Sequence, residues 1–526
     1  MKSQAMRNAR QRKRLLGGLS DLLELKHCAI IQEQINSDAE DAENSFLLRN
    51  KTSPGNPGLF FLEHFILLEN LIDKQNRERK KMLIRSISGV RGLTGSHLNP
   101  TVSKKYAKAL HSFLADGVIM CGRDSRPSGE MIQNAIMDEL VRLGRTVIDC
   151  GIVPTPTVQF MVHNTEAIGG FVVTASHNPI EWNGLKFLRS DSTFFHPEDC
   201  ENLFSLVDQN IHINDAPDSG LVWPEQNAIQ KHIISCVSIS CIDLNRIRKR
   251  KFKVVIDAVN GAGSNALPVL LDSLGCDVIE LFCEPNGEFS RGTEPLPENL
   301  KVLGEMVVKH GADAGFAIDP DADRLAVVNE LGEPLGEEYT LVIAADGYLK
   351  DTNRKEKFVV NLSTSLAIDK LAELNDCTVV RSAVGEINVV NKMIEMKSEL
   401  GGEGNGGVIL RECHLGRDSM VGSTMVLNRM SFSESSLSKI HLSLPQFKIV
   451  KDKIDIQSID IDSAIQRVRV LFDDATLNEI DGIKFSWDDR WVHLRKSNTE
   501  PIIRIYAEAP NRNQALKLVE QIKKTI

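Results

Sequence analysis

The chain is predicted to be an α/β protein of several domains, with helices covering both faces of its sheets and a smaller α+β unit at the C-terminal end. Three observations predict it. Short apolar runs that read as strands alternate with amphipathic segments of helix length. The alternation restarts at intervals of about 100 residues, a usual domain size. A length of 526 residues also exceeds what one hydrophobic core supports.

The elements follow in order. Residues 1–81 form an atypical N-terminal extension, basic over 7–14 and punctuated by Pro54 and Pro57. Glu24, Glu33 and the acidic stretch Asp38–Glu43 spoil a transit-peptide pattern. Met82 stands directly before a strand at Leu83–Ile87, so the working part of the chain is expected to start there. The segment before it then reads as a mobile extension or the product of a mis-set start codon. A protein beginning at Met82 is expected to keep its activity and stability.

In 82–235, a strand at Gly117–Cys121 leads to a helix at Glu130–Leu143 with apolar Met131, Ile132, Ala135, Ile136, Leu140 and Val141. A strand at Thr146–Asp149 and an apolar run from Phe171 follow. The pattern restarts at Lys253–Asp257 and Ala314–Ile318 in 236–340, and at Lys357–Asn361 in 341–445. Residues 446–526 read as α+β, with strands at Gly482–Ser486, Trp491–Arg495 and Ile502–Ala507 and a closing helix at Asn513–Lys524.

Composition narrows the function. The chain is 42% hydrophobic and 25% charged, an ordinary globular balance. A formal charge of −9 and a pI near 5.9 argue against a nucleic-acid partner. Anionic small molecules stay open, because a cleft's local field can oppose the overall sign. Ten cysteines without a Cys-x-x-Cys pair indicate reduced, mostly buried thiols in a cytoplasm, neither a disulfide scaffold nor a zinc knuckle. The longest apolar run, Gly58–Ile72, is broken by Glu63, His64, Glu69 and Asn70 and is too short and polar to span a bilayer.

Four loops carry chemistry. The apolar run Phe171–Thr174 stops at Ser176, in a polar loop that Pro179 ends, with His177 beside it and Lys186 ten residues on. A hydroxyl at a strand's carboxyl end suits a nucleophile or a phosphate carrier. The loop Asp319–Arg324 alternates three carboxylates, Asp319, Asp321 and Asp323, which as hard oxygen donors suit Mg²⁺ or Mn²⁺. It is not an EF-hand, because Arg324 stands where that loop needs glycine. Three carboxylates leave an octahedral ion open to a phosphate oxygen, which Ser176 can supply as a phosphoserine, and Arg324 is a bidentate phosphate donor. The loop Arg495–Pro501, with Arg495, Ser497, Asn498 and Thr499 and with Arg504 beyond, makes a phosphate cradle. In Gly401–Gly407, Glu403 and Asn405 suit the vicinal hydroxyls of a sugar. Arg91 in Ser88–Gly92 and the stretch Gly122–Gly129 are weaker supports.

Taken together, these runs resemble the α-D-phosphohexomutases: the phosphoglucomutases, phosphomannomutases and phosphoglucosamine mutases. The resemblance covers Met82 to the C-terminus, with the phosphoserine, metal, sugar and phosphate loops in family order. It implies four domains around a cleft, three related α/β domains and a C-terminal α+β domain like the TATA-binding protein's fold. It also implies an intramolecular phosphotransferase, an isomerase that moves phosphate between the 1- and 6-positions of a hexose or hexosamine phosphate. Ser176 would donate its phosphate, a sugar bisphosphate would reorient, and Ser176 would take back the other phosphate. One Mg²⁺ would be held by Asp319, Asp321, Asp323 and the phosphoserine. Lys186, His177 and Arg91 would serve acid–base work and charge stabilisation. The sugar loop departs from the commonest pattern, Gly-Glu-(Met or Gln)-Ser-Gly-His, by placing Asn405 and Gly407 where serine and histidine stand. With Ser86–Gly92 and Arg495–Pro501 it is similar to the phosphoglucosamine mutases of archaea and some bacteria, which implies glucosamine phosphate as substrate. Phosphoglucomutase or phosphomannomutase activity is the alternative, in a cytoplasmic monomer or homodimer. A non-catalytic sugar-phosphate sensor would have lost the serine or an aspartate, and this chain keeps them all.

Overall fold

Strands rich in Val, Ile and Gly alternate with helices, and in the computed structural model they pair into four sheets. The structure describes residues 83–352, 354–456, 461–496 and 502–526. The features expected of the first 81 residues, and Ser497, Asn498 and Thr499 of the expected phosphate cradle, lie outside the described residues. The chain divides into two units between Lys81 and Met82.

Three sheets share one four-strand plan. The first contains Ile119–Arg123, Val147–Ile152, Gly169–Val173 and Trp182–Arg189. The second contains Lys253–Asp257, Asp277–Leu281, Ala314–Ile318 and Leu325–Asn329, and the third Lys357–Asn361, Thr378–Ser382, Leu400–Glu403 and Gly407–Leu410. In each, the first strand lies between the second and third and is parallel to both, while the fourth pairs antiparallel with the third. The first sheet gains Gly89–Leu93 and Ile84–Ser86 on one side and Val222–Pro224 on the other. All three third strands are buried along their whole length, which is why they read as apolar or glycine runs, with Glu403 at the end of the third as the one polar residue.

This plan repeats one connection three times. The loop between third and fourth strands spans 174–181 in the first sheet, 319–324 in the second and 404–406 in the third. Each sits at the carboxyl end of a parallel strand, where open α/β sheets place their ligands. The serine, aspartate and sugar loops are therefore topological equivalents.

Helices follow the expected faces with small departures. The helix Gly129–Arg142 buries Ile132, Ala135, Ile136 and Leu140 as the spacing predicts. Met131 is 44% exposed instead, and Gln133 and Met137 take buried places. Helix Ser419–Ser431 is buried on every side, so its N-terminal N–H groups depend on Asp418, whose side chain accepts from Met420 and Val421.

The fourth sheet is antiparallel, in the order Lys448–Asp455, Ile502–Ala509, Trp491–Lys496, Ile483–Ser486, Thr476–Asn478. Helix Arg512–Thr525 packs on it and touches helix Ile461–Leu471. The strand Lys448–Asp455 was not legible, because its edge position leaves an alternating pattern rich in Lys and Asp. Trp491 anchors the sheet, fully buried, with Nε1 donating to Glu508 Oε2 at 2.6 Å. Burial of such a side chain contributes about 3 kcal/mol. The nine described cysteines are free and seven are buried. No helix among the described residues is long and apolar enough to cross a membrane.

Candidate active site

The serine loop is held by its own domain before it meets any other. Ser176 sits at φ 49°, a left-handed conformation that costs a residue with a Cβ about 1–2 kcal/mol. Such strain persists only where the surroundings over-determine it. Here the Ser176 N–H donates to Thr174 Oγ1 at 2.8 Å, and that hydroxyl donates to Asp124 Oδ2 at 2.6 Å. Arg126, fully buried, pairs with Asp124 and donates to the carbonyls of Ser176, Asn178, Pro179 and Trp182. Its guanidinium lies 4.8 Å from the Phe289 ring centroid. Arg126 thus fixes the loop through its backbone, and sequence reading passed over it within Gly122–Gly129.

The aspartate loop meets the serine loop directly. Ser176 Oγ donates to Asp319 Oδ2 at 3.2 Å. Asp319 Oδ1 in turn accepts from the N–H groups of Asp323 and Arg324. Ala322 takes φ 57°, which turns the chain within the loop. Thr155 Oγ1 and Lys186 Nζ both donate to Asp321 Oδ2, at 2.9 and 2.7 Å, and Lys186 lies 3.4 Å from Asp323 Oδ2. The three carboxylates are buried and their ligand atoms lie within 4.8 Å of one another. Asp321 Oδ1 and Asp323 Oδ1 are buried without a hydrogen bond. Hard oxygen donors with unsatisfied buried lone pairs fit a divalent cation of the Mg²⁺ type.

Electrostatics follow from the crowding. Burial and the neighbouring Asp323 and Asp321 push the Asp319 carboxyl well above its usual range. Burial disfavours the Lys186 charge, but Asp321 and Asp323 outweigh it and raise the pKa, so Lys186 is an ammonium. His177 behaves oppositely. Burial, then Arg324 and Arg91, hold its pKa well below the usual value, so the ring is neutral. Its Nδ1 stands 3.3 Å from Ser176 Oγ and 3.2 Å from the Arg324 guanidinium.

Beside these loops lies a cleft of about 460 Å³. His177 and Arg324 line it, whereas Ser176, which they touch or flank, is only 2% exposed. Glu403 and Asn405 of the third loop line it as well, and the C-terminal domain contributes Lys451, Arg495 and Arg504. All four domains therefore reach one space. Arg495 is oriented by Asp481, with Nε donating at 2.8 Å. Arg91 does not line the cleft; it donates to Asn178 Oδ1 at 2.7 Å and so supports the serine loop.

Arg417 was not singled out from the sequence, and it links the loops. This buried guanidinium donates to Asp323 at 2.6 Å, Glu403 at 2.7 Å and Glu386 at 3.1 Å. Glu403 also accepts from Asn361 Nδ2 and the Gly385 N–H. The metal loop and the sugar loop are thus one charge network with Arg417 at its centre.

Three equivalent hairpin loops, a strained serine against a carboxylate triad, and a charged cleft to which a fourth domain contributes Lys451, Arg495 and Arg504 define the α-D-phosphohexomutase fold. Family models described as phosphoglucomutase/phosphomannomutase α/β/α domains I, II and III match residues 83–212, 230–332 and 336–447, and the model of the C-terminal domain matches 450–525. The chain belongs to the phosphoglucomutase/phosphomannomutase family. A phosphoglucomutase/phosphomannomutase of Thermococcus kodakarensis is 35% identical over 82% of this chain and 96% of its own. A phosphoglucosamine mutase of Methanococcus aeolicus is 30% identical over 82% of this chain and 96% of its own. A solved structure from the same family, from Burkholderia thailandensis, shares the fold with a TM-score of 0.73 at 24% identity, covering 84% of this chain and 97% of that one.

Proposed function

We propose that the chain is a phosphosugar mutase that interconverts glucosamine 6-phosphate and glucosamine 1-phosphate through phospho-Ser176 and a bisphosphorylated sugar. The observation that carries this reading is the contact of Ser176 Oγ with Asp319, flanked by Arg324 and His177 at the wall of a cleft that reaches Arg495 and Arg504. One end of that cleft suits the phosphate being exchanged, the other a phosphate that is only held.

In the forward step the bond from phosphorus to Ser176 Oγ breaks and a bond to a sugar hydroxyl forms. The hydroxyl proton must travel to Ser176 Oγ. Neutral His177, with Nδ1 next to that oxygen, is placed to relay it. Lys186 stays charged and stabilises the phosphate oxygens, and Arg324 does so from the cleft side. Arg495 and Arg504 hold the distal phosphate, while Glu403 and Asn405 orient the ring. Mg²⁺ bound by Asp319, Asp321, Asp323 and a phosphoserine oxygen would neutralise charge on the transferring group. The same step run backwards after the bisphosphate turns over returns a phosphate to Ser176.

Because Asp319 holds a proton above the usual carboxylate range, a cation entering the triad must displace that proton. The displacement is harder as pH falls. The rise in melting temperature on adding Mg²⁺ is therefore expected to be larger at about pH 8 than at about pH 5. A shift that is unchanged or larger at the lower pH would contradict it.

The amino sugar is favoured by Glu338, which lines the cleft beside the third loop; a Cβ added to Gly404 would stand 3.5 Å from its Cγ. Burial, with Glu337 adding to it against the opposing pull of Lys451, pushes the Glu338 carboxyl up to about 7. A carboxylate so placed gains from an ammonium group on the substrate. Wild-type kcat/KM should be higher for glucosamine 6-phosphate than for glucose or mannose 6-phosphate. Glu338→Gln should reduce that preference about tenfold, near 1.4 kcal/mol. A wild-type enzyme that prefers glucose or mannose 6-phosphate supports instead the activity in the name of the Thermococcus kodakarensis relative.

A further inference from the structure

A second cluster of ligand-type side chains lies outside the cleft. His232, on helix Ala228–Val237, meets Cys413, His414 and Asp418 from the loop that follows strand Gly407–Leu410. All four are buried, His232 and Asp418 completely. One nitrogen of each imidazole, the thiol sulfur and a carboxylate oxygen fall within 4.8 Å of one another. His232 Nε2 and His414 Nε2 stand 2.9 and 3.0 Å from Asp418 Oδ2.

Protein contacts alone leave this cluster incomplete. His414 Nδ1 is buried and makes no hydrogen bond, and the Nε2 atoms of both imidazoles converge on a single oxygen, Asp418 Oδ2. Buried polar atoms without partners are few in native proteins and point to something that completes them. The atoms behind the cluster are meanwhile already engaged. His232 Nδ1 is 3.0 Å from Thr157 Oγ1, Asp418 Oδ1 accepts the Met420 N–H at 2.7 Å, and Ser235 Oγ is 3.5 Å from Cys413 Sγ. Phe160 stacks on the His232 ring at 4.8 Å. Support of this kind orients ligands and fixes tautomers around a metal.

Charge balance selects the occupant. A thiolate, a carboxylate and two neutral imidazoles carry two negative charges, so a divalent cation makes the buried group neutral. Isolated charge there would otherwise be costly. The thiolate and imidazoles favour zinc over the hard cations that suit the aspartate triad, and four protein donors leave no open position, as in structural sites. We propose that His232, Cys413, His414 and Asp418 form a structural zinc site that fastens the Cys413–Asp418 loop to helix Ala228–Val237. That loop carries Arg417, so the zinc would hold in place the guanidinium that joins Asp323, Glu386 and Glu403.

The test is metal analysis of the full-length protein, produced with zinc in the medium and purified without chelator. About one zinc per chain is expected. It should be retained in Asp319→Asn, which alters only the other site, and lost in Cys413→Ser and His232→Gln. Exchange with Co²⁺ alone should give the visible bands of tetrahedral cobalt and a thiolate charge-transfer band, the latter absent in Cys413→Ser. A strong chelator should lower the wild-type melting temperature by several degrees. Folded, active wild-type protein without zinc and without a cobalt–thiolate spectrum would overturn the proposal, whatever the fate of the variants. Zinc that survives in Cys413→Ser and His232→Gln, or that disappears in Asp319→Asn, would overturn it too.

Discussion

Ser176→Ala is expected to abolish turnover of hexose and hexosamine phosphates, a loss on the order of 10⁴-fold or more, in a protein that stays folded. No other hydroxyl contacts Asp319 in the described residues, so nothing replaces Ser176 as carrier. The fold should tolerate the change because the loop is held by backbone groups. The Ser176 N–H reaches Thr174, its carbonyl reaches Arg126, and alanine accepts the same left-handed φ at similar strain. The lost hydroxyl contacts cost about 1 kcal/mol. Steady-state assays on glucosamine 6-phosphate, with a thermal melt of the same sample, check both halves. Activity near the wild-type value would remove Ser176 from the mechanism.

Arg417→Ala should produce the largest loss of stability of any single change around the site. It would leave Asp323, Glu386 and Glu403 buried without their shared cation. Removing one partner of a buried ion pair costs about 3–5 kcal/mol, since the remaining charge is neither solvated nor paired. Arg417→Lys should recover part of the stability but little of the activity, because a single ammonium cannot match a fork that reaches three carboxylates. Urea unfolding and kcat/KM on the two variants separate the effects. A loss under about 1 kcal/mol in Arg417→Ala would mean that solvent or a cation already serves these carboxylates.

What the sequence disclosed follows from how local each signal is. Lys253–Asp257, Ala314–Ile318 and Lys357–Asn361 are short apolar runs because their strands are covered on both faces, and they were legible with their full bounds. Ser176, Asp319, Asp321 and Asp323 were legible because each loop states its chemistry within a few residues. Their equivalence as one hairpin connection used three times was not, since it exists only in the strand order. Arg126 and Arg417 look like ordinary polar-loop arginines; only the fold brings Arg417 to an aspartate 94 positions away. His232 and Cys413 are separated even further, so no spacing rule could connect them. Met131 shows the opposite failure, where an apolar side chain at the margin of the predicted stripe faces solvent.

The central claim is that Ser176 gives and takes phosphate. Its most direct test is a single turnover. Protein charged with labelled phosphate is mapped by peptide mass spectrometry, mixed with unlabelled glucosamine 6-phosphate, and quenched. The label should begin on Ser176 and pass to a glucosamine bisphosphate as the serine loses it, with little free phosphate. Label on another residue, or label released as inorganic phosphate with no bisphosphate formed, would contradict the account.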